Sequence, residues 1–382
     1  MTLTPVLSLT EFPFCVGACS TPDNPKPLPN VHPLQLCLNN KLGRLELSAN
    51  NGLEELLKVA YALGIKMGTP SADTDFGKPY VLDFMNFIEC STKHKGAALE
   101  IGAGVGYLSA LLSQKGWNID SLEPGTGYRH HWDEYGIKVI NEFFPSPNAT
   151  GPYDLITFYT VLEHVNDPQP FLERVASHLK PGGKVVLSVP DCSSEIESGD
   201  PSMLLHEHYN YFTPTSLRRT LLNAGFDAII RLSGFGRSIY ACATLCKNKR
   251  NAEPSNQEMT LLRAFSGKVR QLTDRFHSVL RSAIEKGSVG VYCPARALAL
   301  LPHDAPIRFF DDASELHGKY YPPFQSRIES REALFKNPVD TLFIMSRTFG
   351  ACLVQELRSK LAAVNILTMD DFNLPNDLGG GE

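Results

Sequence analysis

The sequence predicts an α/β protein in which a mainly parallel sheet is covered by helices on both faces. Between residues 97 and 246, short apolar runs typical of buried strands alternate with segments whose apolar residues have helical spacing. This alternation is the pattern of βαβ units. It begins again near residue 288, and a chain of 382 residues is long enough for two such units. We therefore expect two α/β domains.

The part of the chain before these units is predicted to be a small irregular module followed by two helices. The run PDNPKPLPNVHP within residues 1–50 is rich in turn-forming residues, which favours irregular structure. Residues 52–66 and 78–92 carry apolar groups at helical spacing, so each range is predicted to be a helix.

In the first α/β unit, strands and helices can be assigned in chain order. The predicted strands have the sequences ALEIG, WNIDSLE, IKVINEFF, YDLITFYTVL, KVVLSVP, DAIIRLSG and SIYACATLCK. The predicted helices have the sequences YLSALLSQKG, FLERVASHLKPGG and SLRRTLLNAGF. The pair Gly182-Gly183 is predicted to end the second of these helices.

A polar linker, KNKRNAEPSN, separates this unit from a long amphipathic helix over 257–286 that stops at Gly287. Four strands follow, in SVGVYCP, IRFFDD, VDTLFIMS and VNILTM. We predict an N-terminal module over 1–50, an α/β domain with its N-terminal helices over 51–246, and the linking helix with a second α/β domain over 257–376.

Composition excludes several classes of protein. Hydrophobic residues make up 43% and charged residues 20%, so the chain is not disordered. A net charge of −5 argues against nonspecific nucleic-acid binding, which a basic surface drives. No apolar run approaches the length of a membrane span, and the N-terminus lacks the features of a signal peptide. We expect a cytoplasmic protein, and the sequence does not indicate its oligomeric state.

The nine cysteines are scattered, as in a protein from a reducing compartment. Cys15, Cys19 and Cys37 form an incomplete set for a structural zinc ion, which needs four ligands, because Asn40 stands where the second pair would end. His32 could complete a set in principle. We predict no bound metal, with zinc at these residues as the alternative.

The stretch LEIGAGVG places Gly102, Gly104 and Gly106 between a strand and a helix. Such a turn lets the backbone approach a ligand beyond the strand ends. Glu123 ends the next strand, where a carboxylate can accept both hydroxyls of a ribose. A tight connection without a ligand is one alternative. A dinucleotide site is the other, but it requires G-x-G-x-x-G and the spacing here is G-x-G-x-G.

These residues resemble the class I S-adenosylmethionine-dependent methyltransferases, whose later strand-loop-helix-strand run is similar to YDLITFYTVLEHVNDPQPFLERVASHLKPGGKVVLSVP. The resemblance implies a Rossmann-like methyltransferase core and S-adenosylmethionine as the cofactor, and the second βαβ pattern adds a C-terminal Rossmann-like α/β domain. Glu123 would bind the ribose, Glu142 and Phe143 would flank the adenine, and the residues from Phe158 would line the sulfonium side. The implied cofactor-binding residues are Glu100, Gly102, Ala103, Gly104, Gly106, Tyr107, Glu123, Glu142, Phe143, Phe158, Tyr159 and Thr160. His164 in LEHV is interpreted as a packed residue.

A second cluster follows the fifth strand, where the carboxyl end of the sheet would receive a substrate. It contains five polar or aromatic residues in the string HEHYNYF, namely His206, Glu207, His208, Tyr209 and Tyr211. A histidine titrates in the range that a general base needs, and a neighbouring carboxylate can raise its basicity. The structural alternative is that these groups cap a helix or hydrogen-bond in the core.

The string HEHYNYF resembles that of sugar C-methyltransferases acting on nucleotide-linked keto-deoxysugars. VHPLQLCLNNKLGRLEL is similar to part of that family's N-terminal zinc-binding module, here degenerate, and AYALG, GFGRSIYA and IRFFDDASELHGKYYPPFQSRIES resemble later segments. The resemblance implies that His208 removes a proton beside a ketone, that Glu207 assists, and that Tyr61, Tyr209 and Tyr211 contact the substrate. The chain departs from the family in its missing zinc cysteines and in CPARAL, where Arg296 replaces small residues.

The leading hypothesis is therefore C-methylation of a small-molecule acceptor such as a nucleotide sugar, with no nucleic-acid or membrane partner. An O- or N-methyltransferase acting on a small metabolite is the first alternative, because His208 could equally deprotonate a hydroxyl or an amine. A non-catalytic scaffold that retains the fold and an NAD-binding dehydrogenase are the others.

Overall fold

The computed structural model describes residues 3–15, 17–48, 51–63, 77–246, 252–347 and 350–372. In these ranges the strands form three sheets of four, seven and five strands. None of the helices in the described ranges combines the length and the apolar character that crossing a membrane requires.

The N-terminal residues form a sheet, so the predicted irregular module is wrong. The four strands of this sheet are β1 (Leu3–Pro13), β2 (Val31–Asn39), β3 (Arg44–Leu47) and β9 (Asn210–Tyr211), hydrogen-bonded in that order. Neighbouring strands are antiparallel. Leu34, Leu36 and Leu38 recur at every second position of β2 and are buried, which is the strand period. The proline-rich run that suggested irregular structure lies mainly in the connection between β1 and β2.

The seven-stranded sheet is the predicted first α/β unit. Its strands are β4 (Ala97–Ile101), β5 (Asn118–Leu122), β6 (Val139–Ile140), β7 (Tyr153–Tyr159), β8 (Leu179–Pro190), β10 (Phe226–Leu232) and β11 (Ser238–Leu245). The spatial order is β10-β11-β8-β7-β4-β5-β6. Six strands point in the same direction, and β11, which is antiparallel to its neighbours β8 and β10, points the other way.

Helices cover both faces of this sheet, as predicted. The seven helices of this part of the chain are α1 (Asn51–Ala62), α2 (Gly77–Ser91), α3 (Tyr107–Gln114), α4 (Arg129–Tyr135), α5 (Pro168–Ser177), α6 (Ser193–Ser198) and α7 (Pro214–Asn223). One core joins α2 and α3 to Ala98 of β4, and another joins α5 and α7 to Leu99 of the same strand. Consecutive strand residues point to opposite faces, which produces this division.

The described parts of the two predicted N-terminal helices are confirmed by α1 and α2. Residues 64–66, at the end of the first prediction, lie outside the described residues, as do 247–251 of the predicted linker and 373–376 at the end of the last predicted domain.

Two predictions in this unit are wrong in detail. The third strand is limited to Val139–Ile140, because the Asn141 side chain then donates to the Glu123 carbonyl (2.7 Å) and the chain leaves the sheet. Helix α5 ends at Ser177, and the pair Gly182-Gly183 lies inside β8. A Cβ at Gly183 would lie 2.8 Å from the Tyr153 carbonyl oxygen, so this glycine permits close strand contact and is not a helix stop.

The predicted long helix is confirmed as α8 (Asn256–Lys286), followed by Gly287. Its N-terminal half packs on the core of the four-stranded sheet through Met259, Leu262 and Phe265. Its C-terminal half packs on the core of the five-stranded sheet through Leu272 and Phe276. The helix thus connects the two smaller sheets.

The five-stranded sheet is the second α/β unit. Its strands are β12 (Val289–Tyr292), β13 (Ile307–Phe310), β14 (Ile328–Glu329), β15 (Thr341–Ile344) and β16 (Asn365–Thr368). They are parallel in the order β14-β13-β12-β15-β16, and the helices α9 (Arg331–Lys336) and α10 (Gly350–Arg358) connect them.

Candidate active site

The glycine loop after β4 has a backbone that only glycine adopts easily. Gly102, Gly104 and Gly106 have φ angles of +76°, +53° and +82°. A Cβ at Gly102 would lie 2.6 Å from Val161, and one at Gly106 would collide with Ile137. By contrast, a Cβ built at Gly104 has no neighbouring atom within 4 Å in the described parts of the chain. The loop is therefore packed on both sides and open at its middle glycine.

Glu123 lies directly after β5 and faces this loop. Its carboxylate accepts hydrogen bonds from the backbone N–H groups of Gly104 (2.8 Å) and Gly125 (2.7 Å). Burial raises the pKa of Glu123, while the two N–H donors lower it. The carboxylate is thus held in place at the open glycine, as its predicted role with a ribose requires.

Trp132 is a loop contact that sequence reasoning missed. Its indole N–H donates to the carbonyl oxygen of Gly104 at 2.8 Å. The residue lies on α4, and its side chain is buried. Its signal in the sequence is a single tryptophan in the polar run YRHHWDEY, where a large apolar residue needs a specific packing partner.

Glu100 lies beneath the loop and not in the cleft. The Ser109 hydroxyl donates to its carboxylate, and Ser109 in turn contacts the Ser121 hydroxyl at 2.6 Å. Burial raises the pKa of Glu100 to about 8. The predicted ligand contact of Glu100 is therefore corrected: the residue supports the loop from below.

The remaining predicted cofactor residues divide into exposed and buried groups. Phe143 is 76% exposed after β6, and Glu142 beside it accepts a hydrogen bond from Asn148 (2.8 Å). Phe158 is fully buried against Phe171, with ring centroids 5.5 Å apart, so its predicted place in the ligand pocket is wrong. Side chains alternate along β7, and that of Phe158 points into the helix-covered core.

Three further cofactor candidates lie around the loop. Ala103 donates its N–H to the Leu122 carbonyl oxygen at 2.9 Å, and Tyr107 begins α3. Tyr159 ends β7 and is followed by Thr160, which has a φ of +54°. The cofactor contacts of these residues, as of Glu142 and Phe143, stay predictions.

The HEHYNYF segment is held against the turn that follows β7, a 3₁₀ turn over Leu162–His164. The backbone N–H of Tyr209 donates to the Glu163 carbonyl oxygen at 2.7 Å. The ring Nδ1 of His164 lies 3.0 Å from the Glu207 carbonyl oxygen. β9 then pairs with β3. Segments about 45 residues apart therefore meet beside the glycine loop.

Glu207, the acidic residue of this segment, contacts Tyr61, which was predicted to bind the substrate. It is buried, and its Oε2 accepts a hydrogen bond from the Tyr61 hydroxyl at 3.3 Å. Burial raises the pKa of Glu207 to about 7, although the positive charge of Arg296 and the Tyr61 hydroxyl lower it. Burial raises the pKa of Tyr128 too, and so do the charges of Glu123 and Glu207. Tyr128 therefore lies near both Glu123, which faces the glycine loop, and Glu207.

His208 lies deeper than Glu207. It is 2% exposed, and its ring packs edge-on against that of His164 with centroids 4.7 Å apart. Burial lowers the pKa of His208 well below that of free histidine, and it lowers that of His164 to about 4. Both imidazoles are therefore neutral near pH 7. His164 is packed, as predicted, and its packing partner is His208.

The two other predicted substrate contacts differ from Tyr61. The Tyr211 ring is fully buried, and its hydroxyl donates to the Leu205 carbonyl oxygen (3.1 Å) and accepts from the Leu205 N–H (3.3 Å). Its predicted substrate contact is therefore wrong. Tyr209 is buried in the core of the four-stranded sheet, which disfavours the same role. His206 points toward that sheet, with its Nε2 3.0 Å from the His32 carbonyl oxygen.

The cysteines considered for zinc lie in two places. Cys15 follows β1, where burial and the neighbouring Cys19 raise the pKa of its thiol. Cys37 lies on β2, where its thiol interacts with Ser48 and Glu46. Among the described residues, the one group of three or more metal-ligating side chains is Glu163, His164 and His208.

With this geometry established, comparison with known proteins identifies the central unit. Residues 78–230 match a family model described as "Methyltransferase domain". This part of the chain is therefore similar to methyltransferase domains. The strand order of this unit agrees with the predicted fold, and the family match supports the predicted enzymatic class.

Curated relatives match about a quarter of the chain. A ubiquinone biosynthesis O-methyltransferase of Marinobacter nauticus is 33% identical over 115 residues, which are 27% of this chain and 48% of that protein. One of Photorhabdus laumondii is 37% identical over 98 residues, which are 24% of this chain and 41% of that protein. The chain thus spans about half the length, or less, of these relatives.

Solved structures show a similar partial overlap. One of them is Burkholderia thailandensis 1,6-didemethyltoxoflavin-N1-methyltransferase with bound 1,6-didemethyltoxoflavin and S-adenosylhomocysteine. The alignment covers 53% of this chain and 96% of the Burkholderia chain. The sequence identity is 14% and the TM-score is 0.39. A similarity at this level carries no information on the acceptor.

Proposed function

We propose that this protein transfers a methyl group from S-adenosylmethionine to the carbon beside a ketone of a nucleotide-linked sugar. The observation that carries the proposal is the meeting of Glu207, Tyr61 and Arg296, which come from three different parts of the chain, next to the glycine loop and Glu123.

The glycine loop and Glu123 fit the cofactor. The space above Gly104 is open, and the Glu123 carboxylate is already held at the edge of that space by two backbone N–H groups. The bound cofactor supplies an electrophilic methyl group on a sulfonium centre. The loop, Glu123 and Trp132 then act by holding it in one orientation, since methyl transfer is an in-line displacement that depends on alignment.

Glu207 is proposed as the base, in place of His208. A carbon beside a ketone must lose a proton to become a nucleophile, and the accepting group must lie at the cleft. Glu207 reaches the half-exposed Tyr61, whereas the His208 ring is packed behind it against His164. The C–H bond would break, and the proton would move to the Glu207 carboxylate. The resulting enolate carbon would then bond to the methyl group as the bond between the methyl group and sulfur breaks, which would release S-adenosylhomocysteine. The Tyr61 hydroxyl orients the carboxylate.

The surroundings of Glu207 support a phosphate-bearing acceptor. Arg296 belongs to a 3₁₀ turn, Ala295–Leu300, of the C-terminal unit. Its charge acts on Glu163 and Glu207, so it lies near the same cleft. A nucleotide sugar carries a diphosphate, and a guanidinium is well suited to bind it. The N-terminal sheet and the C-terminal unit both flank the methyltransferase domain here, so the acceptor can be larger than a simple metabolite.

O-methylation is the second candidate, because two relatives that match about a quarter of the chain are named as O-methyltransferases. Glu207 could deprotonate a hydroxyl as well. The two reactions differ in whether a carbon-bound proton is removed.

Solvent deuterium exchange tests this difference. A thermal-shift screen of nucleotide sugars with S-adenosylhomocysteine first identifies an acceptor. We expect deuterium from D₂O to enter the carbon beside its ketone when S-adenosylhomocysteine replaces the methyl donor. Glu207→Gln should abolish the exchange, and Glu55→Gln, an exposed control on α1, should not. Exchange that persists in Glu207→Gln would refute the base, and methylation of a hydroxyl without exchange would establish the second candidate.

A further inference from the structure

We infer that Glu163, His164 and His208 bind a divalent transition-metal ion beside the methyl-transfer site. One ligand atom of each residue lies within 4.8 Å of the other two. The three residues come from the 3₁₀ turn after β7 and from the HEHYNYF segment, which two backbone-directed contacts hold together. The site differs from the cysteines considered for zinc, and none of its residues was expected to bind a metal.

Two buried polar atoms of this cluster have no hydrogen-bond partner within the described chain. They are Oε2 of Glu163 and Nε2 of His208, and their residues are 1% and 2% exposed. Buried polar groups are almost always paired, and an unpaired one destabilises a protein. Two such atoms, a carboxyl oxygen and an imidazole nitrogen in the same cluster, can both coordinate a metal ion, so they indicate a shared ligand.

His164 supplies the third ligand atom in the required protonation state. A carbonyl oxygen can only accept a hydrogen bond, so Nδ1 of His164 donates its proton to Glu207. Nε2 therefore carries a lone pair, and it lies 4.0 Å from Oε1 of Glu163. An imidazole whose second nitrogen is held by a backbone carbonyl is the usual arrangement of a histidine that binds a metal.

The ligand set indicates which ions fit. Two imidazoles and one carboxylate suit Zn²⁺ and its first-row neighbours, whereas Mg²⁺ and Ca²⁺ prefer oxygen ligands. Ligand atoms around tetrahedral Zn²⁺ lie about 3.3 Å apart, as metal-ligand distances of about 2.0–2.1 Å require. The three atoms now lie within 4.8 Å of one another, so the side chains must move closer together to bind the ion. The charges of Glu163 and Glu207 offset that of Arg296, which also acts on the cluster.

Three protein ligands leave a fourth coordination position open, as in metal sites that act on substrates. If the proposed function is correct, this position would receive the oxygen of the acceptor beside Glu207, and the ion would stabilise the enolate. That role rests on the proposed function, whereas metal binding does not.

Metal binding can be measured without any acceptor. The full chain is treated with EDTA, dialysed, and titrated with Zn²⁺ by calorimetry, and bound metal is counted by mass spectrometry. We expect one ion per chain, and binding more than about 100-fold weaker in Glu163→Gln and in His208→Gln. His94→Gln, which removes an exposed histidine, should bind as the unaltered protein does.

Two further measurements keep the result unambiguous. The spectrum with Co²⁺ should show nitrogen and oxygen ligands without thiolate charge transfer, and Cys15→Ser should leave binding unchanged. S-adenosylhomocysteine binding and the thermal melt of each variant show whether it is folded. Absence of a bound ion, a thiolate spectrum, or wild-type affinity in folded Glu163→Gln would each overturn the site. The deuterium exchange assay judges the proposed function separately.

Discussion

Replacing Gly104 by alanine should damage cofactor binding far more than stability. Alanine at a φ of +53° is strained, because a left-handed conformation costs a residue with a Cβ about 1–2 kcal/mol. Among the described residues, no atom lies within 4 Å of the new methyl group, so no steric clash with them adds to this cost. The methyl group would instead project into the space proposed for S-adenosylmethionine.

Gly116 offers a matched control. It has a φ of +88°, a methyl group added to it would also have no atom within 4 Å, and it follows α3 outside the cleft. Gly104→Ala and Gly116→Ala should therefore lower the melting temperature similarly, by about 2–4 °C for each kcal/mol. Only Gly104→Ala should weaken S-adenosylhomocysteine binding, by at least about tenfold, or about 1.4 kcal/mol.

Differential scanning fluorimetry measures the change in melting temperature. Isothermal titration calorimetry measures the affinity for S-adenosylhomocysteine. Equal affinity of the two variants for S-adenosylhomocysteine would refute the assignment of the open glycine to the cofactor. A much larger loss of stability in Gly104→Ala than in Gly116→Ala would show that the loop is packed differently from the structure.

Three other changes give separable results. Burial raises the pKa of Glu100 from 4.5 to about 8, so its contribution to stability is fully present below pH 4.5 and is lost as pH rises through 8, by up to about 1.4 kcal/mol per pH unit. Urea unfolding at pH 5 and pH 8 should show a smaller pH dependence in Glu100→Gln than in the unaltered protein, and equal dependence would contradict the burial argument. Trp132→Phe removes the hydrogen bond to the glycine loop, worth about 0.5–1.5 kcal/mol, and should abolish the change in tryptophan fluorescence on S-adenosylhomocysteine binding, which Trp117→Phe should retain. Phe158→Ala should lower the free energy of unfolding in urea by about 3–5 kcal/mol, because the ring is part of the core. The folded fraction should keep its affinity for S-adenosylhomocysteine. A loss of affinity without a loss of stability would show that Phe158 lines the cofactor pocket.

Where sequence reasoning about the fold failed, a local signal competed with a weaker pattern. The proline-rich run near residue 25 dominated the interpretation of the N-terminal segment, although Leu34, Leu36 and Leu38 already had the period of a strand. Gly182-Gly183 looked like a helix stop because glycine is common there. In the folded chain Gly183 lets β8 pass close to Tyr153, which no local pattern reveals.

The candidate site shows the same division at the level of single side chains. Gly102, Gly104 and Gly106 could be predicted because the left-handed turn between a strand and a helix leaves a direct mark on residue type. Phe158 and Tyr211 could not be excluded from the pocket, because a run of adjacent aromatic residues does not say which of them points into the core.

The sequence by itself determined the alternation of strands and helices, the glycine loop and Glu123, since these depend on short periods and on backbone conformations that few residues adopt. The tertiary structure alone decided that Glu207 faces Tyr61 while His208 lies behind it with Glu163 and His164. Neighbouring residues of an irregular segment point in different directions, and their partners lie about 45 residues or more away in the chain. Only folding determines which side chains meet and which of them water reaches.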